Sequence, residues 1–385
     1  MAIQTVFEFS APTRLIFGSG ALNRLSTFIE PGDPLLIVTD AGIRVAGLLD
    51  KLTSVLDEVP LSYTIFDETE ANPSAETVTR CAEQYKKEGC GGIVALGGGS
   101  SMDVAKGAGI LATNGGRILE YEGMNKFSNP LPFLLCIPTT YGTGSEVTPF
   151  TVITDTDRHF KITVGSDYIF PDVAILDPDL AVQLPLSVAA ATGMDALTHA
   201  IEAYVCLAGN VVTRALAIQA AELIVANLRQ AATSDHNIEA TGNMLIAATL
   251  AGRSFGYTRL GNAHAMAHPL GAQCGIPHGI ANAVLLPYVM EYNLVACPEQ
   301  YAKLAQAMGI SGCGASPIDM ARRAVTVVKS LSSDLEIPEN LKALGVQKEL
   351  FEPMTEDAMK SGNIPVNPRK TSHTDILRLF EKAYG

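Results

Sequence analysis

The feature that most constrains this chain is a repeated motif in its first half: an apolar run stops at small polar residues, and a helix-like segment follows. Residues 35–39 form a short apolar run ending in Asp40. Residues 92–96 form a second, ending in Gly97, Gly98, Gly99 and Ser100, and residues 133–137 form a third, ending in Pro138, Thr139 and Thr140. Residues 74–87 read as a helix after an Asn72-Pro73 turn. A further helix is expected after the glycines, with Ser100 or Ser101 as its cap, Asp103 in its first turn and residues 104–111 continuing it. Strand, turn and helix in this succession imply a parallel sheet covered by helices. Residues 150–154 and 173–176 add strands, with Asp155, Thr156 and Asp157 as a turn between them.

After Pro178 the pattern changes. Residues 188–208, 211–230, 240–256, 262–269, 279–296 and 299–309 read as helices, and Val/Ile-rich runs nearly vanish. Residues 361–374, rich in Gly, Asn and Pro, read as a loop before a last helix over 374–383. A length of 385 residues exceeds one hydrophobic core. The expectation is an α/β domain over 1–180 with a parallel dinucleotide-binding sheet, then an all-helical domain over 181–385.

The formal net charge is −13, from 27 basic and 40 acidic residues, which argues against a nucleic-acid partner. The start MAIQTVFEFS has neither the basic end nor the apolar core of a signal peptide. Apolar stretches such as 130–137 are short, and none reaches the roughly 18 residues that span a membrane. The seven cysteines form no CxxC pair, so a disulfide scaffold and a zinc knuckle are both disfavoured. Cys136 and Cys206 read as small core fillers. A cytoplasmic location is expected.

In a parallel α/β sheet, ligands bind beyond the carboxyl ends of the strands. Gly97–Gly98–Gly99–Ser100 lies at such an end and opens a helix, so free backbone N–H groups can meet a pyrophosphate. It is not a GxGxxG fingerprint, and alone it is equally an ordinary tight turn. Asp40, at another strand end, could accept from the 2′-hydroxyl of an adenosine ribose and repel a 2′-phosphate, which favours NAD over NADP. Thr139, Thr140, Thr143 and Ser145 make a hydroxyl-rich loop suited to phosphate or amide contacts.

The strongest local signal lies in ATGMDALTHAIEAY, where Asp195 and His199 stand at i and i+4 and share one helix face. His264 and His268, in GNAHAMAH, repeat that spacing, and His278 follows Pro277 where a helix is expected to start. One carboxylate and several imidazoles suit a divalent cation such as Fe²⁺ or Zn²⁺. Spacing alone leaves open which of the three later histidines stays off the cation.

These segments carry a resemblance. The motifs GGGSSMDVAK (97–106), PTTYGTGSEVT (138–148), ATGMDALTHAIEAY (191–204), LGNAHAMAHPLG (260–271) and PHGIANAVLLP (277–287) resemble the iron-dependent, or type III, alcohol dehydrogenases over nearly the whole chain. The branch they resemble contains lactaldehyde and 1,3-propanediol dehydrogenases. The resemblance implies Asp195, His199, His264 and His278 as metal ligands, with His268 near the nicotinamide and the substrate. It implies Gly97, Gly98, Gly99 and Ser100 as the pyrophosphate loop and Asp40 as the NAD selector. Asn72, Asp103, Thr139, Thr140, Thr143, Ser145, Val152 and Lys161 would line the cofactor cleft, and Leu180 would lie near the adenine. It further implies a homodimer joined through N-terminal strands near residues 4–18, with higher oligomers open.

The activity implied is NAD-dependent interconversion of a small primary alcohol and its aldehyde. Phe150, Phe255, His268 and Asn363 would stand near the substrate. Arg253 and Arg259, in AGRSFGYTRLG, raise an alternative: an aldehyde bearing a carboxylate, sulfonate or phosphonate, which a guanidinium pairs with well. A dehydroquinate-synthase-like lyase ranks lower, because the metal segments are Ala-rich and flanked by apolar residues. A zinc-dependent polyol dehydrogenase and a non-catalytic protein are the other rivals.

Overall fold

The protein is described here from a computed structural model covering residues 6–29, 32–158 and 160–385. It divides into two compact units: Ala11–Gln183, and Leu184–Gly385 together with the described residues before Ala11.

The first unit runs β1 (Arg14–Phe17), β2 (Leu35–Val38), α1 (Ala41–Val45), α2 (Leu48–Leu56), β3 (Tyr63–Phe66), α3 (Ala75–Lys87), β4 (Gly92–Gly97), α4 (Gly99–Asn114), β5 (Gly123–Met124), β6 (Phe133–Pro138), β7 (Phe150–Asp155), β8 (Phe160–Gly165) and β9 (Val173–Leu176). Six strands form a parallel sheet in the order β1-β9-β6-β4-β2-β3. Successive side chains of its central strands enter opposite cores. Leu36, Ile93, Ala95 and Cys136 pack with Val78, Cys81, Val104 and Ala108 of α3 and α4. Leu35, Ile37, Val94 and Leu96 pack with Leu49, Leu52 and Leu56 of α2. Burial on both faces is why these strands read as continuous apolar runs rather than alternating ones. The chain steps from β2 outward to β3, then returns to β4 on the other side of β2. The winding therefore reverses between β2 and β4, and such a reversal opens a crevice at the strand ends.

Several expectations need correction. Residues 150–154 do not join the parallel sheet. They form β7, which pairs antiparallel with β8 in a separate sheet, β5-β8-β7. The turn at Asp155–Asp157 therefore leads into β8, which was not expected, and neither was β3, whereas β1 falls within the N-terminal strands expected near residues 4–18. Strands β1 and β3 are the edge strands of the main sheet and are only half-buried, so neither shows a long apolar run. Helix α4 begins earlier than expected. Gly98 is its N-cap, no side chain caps it, and Asp103 lies in its second turn.

Lys106 is fully buried in this unit. Its Nζ donates to the carbonyl oxygens of Ser145 (2.6 Å), Thr148 (3.0 Å) and Phe150 (2.8 Å), and to Ser145 Oγ (3.0 Å). One ammonium from α4 thus ties down the backbone leading into β7 at Ser145, Thr148 and Phe150. Burial lowers its pKa, and Asp103, Cys136 and Glu146 oppose that shift.

The second unit comprises α5 (Leu186–Val205), α6 (Val211–Thr233), α7 (Ile238–Thr258), α8 (Asn262–Cys274), α9 (His278–Asn293), α10 (Pro298–Ala307), α11 (Pro317–Asp334), α12 (Phe351–Met359) and α13 (His373–Tyr384). Helix α5 packs on α6, α7 and α9, and α8 packs on α9 and α12. Helix α8 runs through Pro269 to Cys274, past the stop that a proline signals. A second correction concerns α6. By length and composition it could cross a membrane, with a mean hydropathy of 1.5, although no apolar stretch was expected to reach that length. Its buried face, including Ala217, Ala221, Ile224 and Leu228, belongs to the helical core.

Lys106→Met removes the donor and leaves buried carbonyl oxygens unpaired. It is expected to lower the unfolding free energy of this unit by about 3 kcal/mol. Urea denaturation followed by far-ultraviolet circular dichroism measures this, since the chain has no Trp.

Candidate metal centre and nucleotide-binding turn

Helix α5 is apolar on most sides, yet it carries Asp195, His199 and Glu202, all buried. The spacing i, i+4, i+7 puts all three on one face. Asp195, His199 and His264 of α8 offer ligand atoms that all lie within 4.8 Å of one another. His264 Nε2 is 3.7 Å from Asp195 Oδ1, and His278 Nε2, at the start of α9, is 3.8 Å from the same oxygen. A tetrahedral ion with bonds of about 2.1 Å holds its ligand atoms roughly 3.4 Å apart, so these separations fit one cation with little movement. The His199 and His264 rings stack at 4.5 Å, and Phe255 covers the other face of His199 at 4.4 Å. His268 stands off the cluster, stacked on His278 at 5.4 Å.

Glu202, which the sequence reading missed, organises this cluster. Its carboxylate accepts from the backbone N–H groups of Gly261 (3.0 Å), Ala263 (2.7 Å) and His264 (3.4 Å), and so caps α8, whose own N-cap Gly261 offers no side chain. It also lies 2.7 Å from His264 Nδ1. With a carboxylate as partner, Nδ1 carries the proton, and the Nε2 lone pair faces Asp195. That Nε2 is buried with no hydrogen-bond partner, as is His199 Nδ1. Orphaned, buried ring nitrogens beside a carboxylate are the donor set that a divalent cation would satisfy.

The electrostatics agree. Burial raises the Asp195 carboxyl, but His199, His278, His264 and the Asn282 hydrogen bond outweigh it and hold the group at about 2. Burial pushes His264 well below the usual imidazole range, and so does the neighbouring His199, so His264 stays neutral and able to donate a lone pair. Asn282 Nδ2 donates to Asp195 Oδ1 at 2.7 Å and fixes the carboxylate. The position of His278 depends on Gly279, where α9 meets α5: a Cβ there would overlap the Ala191 carbonyl oxygen, one turn before Asp195.

In the other unit, the turn after β4 brings several expected residues together. Gly97 has φ +149°, and a Cβ there would lie 2.5 Å from Ser101 Oγ. A Cβ at Gly99 would lie 2.7 Å from Thr143 Cγ2, and one at Gly98 would lie 3.3 Å from Thr140 Oγ1. The glycines let the two loops close against each other while the uncapped start of α4, including Ser100, keeps its N–H groups available. Asp40 caps α1 through Ile43 N (3.0 Å), and its other oxygen is 3.4 Å from Ser101 Oγ. Thr139 Oγ1 is buried without a partner.

Asp103 keeps a little exposed surface, accepts from Ser145 Oγ at 3.3 Å, and is raised to about 7 by burial against the pull of Lys106. Asn72 accepts from Lys161 Nζ at 2.7 Å, and Val152 sits on β7 opposite Thr163. Leu180, by contrast, is buried in the hydrophobic core with Leu22 and Leu25. Among the residues expected near the substrate, Phe150 starts β7, Phe255 lies against His199, and Asn363 Oδ1 accepts from Leu260 N at 3.3 Å. Arg259 is exposed and Arg253 half-buried.

Gly279→Ala is expected to push α9 off α5, carry His278 away from Asp195, and weaken metal binding at least about tenfold. Metal titration followed by competition with a chelator reads this, with circular dichroism as the check on folding.

Residues 12–178 match the family described as iron-containing alcohol dehydrogenase, and residues 189–384 match the C-terminal part of the same family. The chain is 42% identical to 1,3-propanediol dehydrogenase of Klebsiella pneumoniae over 98% of this chain and 99% of that one. It is 36% identical to lactaldehyde reductase of Escherichia coli, covering 96% and 97%. A crystal structure of 1,3-propanediol oxidoreductase superposes with a TM-score of 0.96 at 42% identity, covering 99% of this chain and all of the other. With its two halves each matched and its buried carboxylate–imidazole cluster in place, the chain belongs to the iron-containing alcohol dehydrogenase family.

Proposed function

We propose that this protein is an NAD- and divalent-metal-dependent oxidoreductase that interconverts a small primary alcohol and its aldehyde by hydride transfer. The convergence of Asp195, His199 and His264 into one buried cluster carries the reading. When bound, a divalent cation supplies Lewis acidity toward the alcohol or carbonyl oxygen, and a nicotinamide supplies the hydride acceptor or donor. The chain's own residues do the rest. Asp195, His199, His264 and His278 hold the cation, and Glu202 and Asn282 aim two of those ligands. Phe255 keeps water from one side of His199. His268, off the cluster, is the proton carrier: a ring nitrogen takes or gives the proton that the alcohol oxygen exchanges. One carboxylate and three imidazoles suit Fe²⁺, with Zn²⁺ as the alternative.

Residues 1–180 would bind NAD and residues 181–385 the metal. Gly97, Gly98, Gly99 and Ser100 would receive the pyrophosphate at the start of α4, with Thr139, Thr140, Thr143 and Ser145 beside it. Asn72, Asp103, Val152 and Lys161 would line the same cleft. Leu180 fits a packing role better than an adenine contact, given its place in the core. A homodimer through the N-terminal strands is supported by β1, an edge strand with Phe17 half-exposed. Residues 4 and 5 of that segment lie outside the described residues.

Purified without oxygen and loaded with Fe²⁺ or Zn²⁺, the protein should consume NADH with small aldehydes such as butanal. His264→Ala should lose both bound metal and turnover. Failure of the wild-type protein to reduce any aldehyde with either metal would sink the reading. A second expectation concerns Asp40. Asp40→Asn keeps the cap on α1 but removes the charge that repels a 2′-phosphate, so NADPH use should rise about tenfold relative to NADH. An unmoved NADPH/NADH ratio of kcat/KM removes that role from Asp40.

A further inference from the structure

We propose that Asn367 is a positioning residue of the metal centre: its buried amide completes the cap on α8 and ties the first turn of that helix to the end of α9, which holds His264 where a cation needs it. This role rests on the metal-binding reading above and deepens it.

Three observations carry it, all within the helical unit. First, a helix start leaves four backbone N–H groups without partners inside the helix. At α8, Glu202 takes those of Gly261, Ala263 and His264. The one it leaves, Asn262 N, donates to Asn367 Oδ1 at 3.3 Å. Gly261 admits both groups: a Cβ there would lie 2.8 Å from Glu202 Oε1 and 3.0 Å from Asn367 Oδ1. Second, Asn367 is itself held. It is buried, and so is Asn293, the last residue of α9. Their amides exchange two hydrogen bonds: Asn367 Nδ2 donates to Asn293 Oδ1 at 2.8 Å, and Asn293 Nδ2 donates to Asn367 Oδ1 at 3.0 Å. Asn367 Nδ2 also donates to Arg369 O at 2.8 Å. Both hydrogens and both acceptor positions of one amide are thus in use. Third, the neighbouring residues fasten the same two helix ends. Arg369 Nη1 donates to Tyr292 O at 2.8 Å, and its guanidinium lies 4.0 Å from the centre of the Tyr292 ring. Asn262 Nδ2 donates to Thr371 Oγ1 at 2.9 Å.

A buried polar network with every member satisfied specifies one arrangement, and a partly satisfied one is costly. The arrangement specified here is the first turn of α8, whose third residue is His264. Without the Asn367 side chain, Asn262 N and the Asn293 amide lose their partner, and Glu202 alone holds the turn. His264 Nε2 then loses its register with Asp195 and His199, which stay in place on α5.

The test measures Zn²⁺ affinity on the full chain by competition with a chromophoric chelator, and the visible absorption of the Co²⁺-loaded protein as a signature of ligand geometry. Asn367→Ala should weaken Zn²⁺ binding about 10- to 100-fold and alter the Co²⁺ bands. Asn293→Ala leaves Asn367 in place but removes its anchor, and should weaken binding in the same direction by less. Phe380→Leu, in the stack of Phe351 on Phe380 between α12 and α13, is the control for general loosening. It should lower the urea midpoint and leave Zn²⁺ affinity within about twofold of wild type. If Asn367→Ala weakens Zn²⁺ binding no more than Phe380→Leu does, Asn367 serves folding alone and the proposal is overturned. Should Asn367→Ala not fold, the same comparison made with Asn293→Ala decides in the same way. A wild-type protein that binds no Zn²⁺ sinks the underlying metal reading instead.

Discussion

The contact on which the metal centre depends is the carboxylate of Glu202 against the first turn of α8. A buried carboxylate is costly to desolvate, and here burial pushes its pKa upward. Three backbone N–H groups and the His264 ring offset that cost. In return, one group fixes where α8 begins, which nitrogen of His264 holds the proton, and which way its lone pair points. Asp195 and His199 share a helix with Glu202, so α5 defines both the donor set and its support. Metal affinity in such sites depends on the partners behind the ligands nearly as much as on the ligands themselves.

The first unit, proposed above to bind the nucleotide, solves the opposite problem. There the need is for uncommitted backbone N–H groups, and the chain leaves α4 uncapped by placing Gly98 where a serine was expected. The loop facing that turn cannot hold itself by regular pairing. Lys106 holds it instead, with a buried charge directed at carbonyl oxygens. The same charge stands near Asp103 and opposes the rise of its pKa. Both units therefore use one buried ionisable group to hold the backbone of another segment in place.

Much of this was legible in the sequence, and the failures follow a physical pattern. Strands β2, β4 and β6 are buried on both faces, and they read as plain apolar runs. Strand β3, at a sheet edge, and β8, with Lys161 as its second residue, mix polar with apolar residues and gave no such signal, while β1 was expected only through the resemblance, among the N-terminal strands. The one-turn spacing of Asp195 and His199 was visible because it is local. Glu202 sits three residues further along the same face, and extending the pattern would have found it. Asn282 and Gly279 could not be found this way, because their roles are set by α5, which lies far from them in sequence. Serine at 100 and 101 misled because serine is a favoured cap, whereas the chain enters α4 extended at Gly98.

The separation of the candidate ligands along the chain has a further consequence. Asp195 and His199 come from α5, His264 from α8 and His278 from α9, so a cation joining them acts as a cross-link between helices that are distant in sequence. Such a clip shortens the loops that an unfolded chain could explore, and it favours the folded helical unit in proportion to how tightly it binds. The ion that serves the chemistry is then also a structural member, and a change in metal supply in the cell would alter the lifetime of the protein as well as its rate.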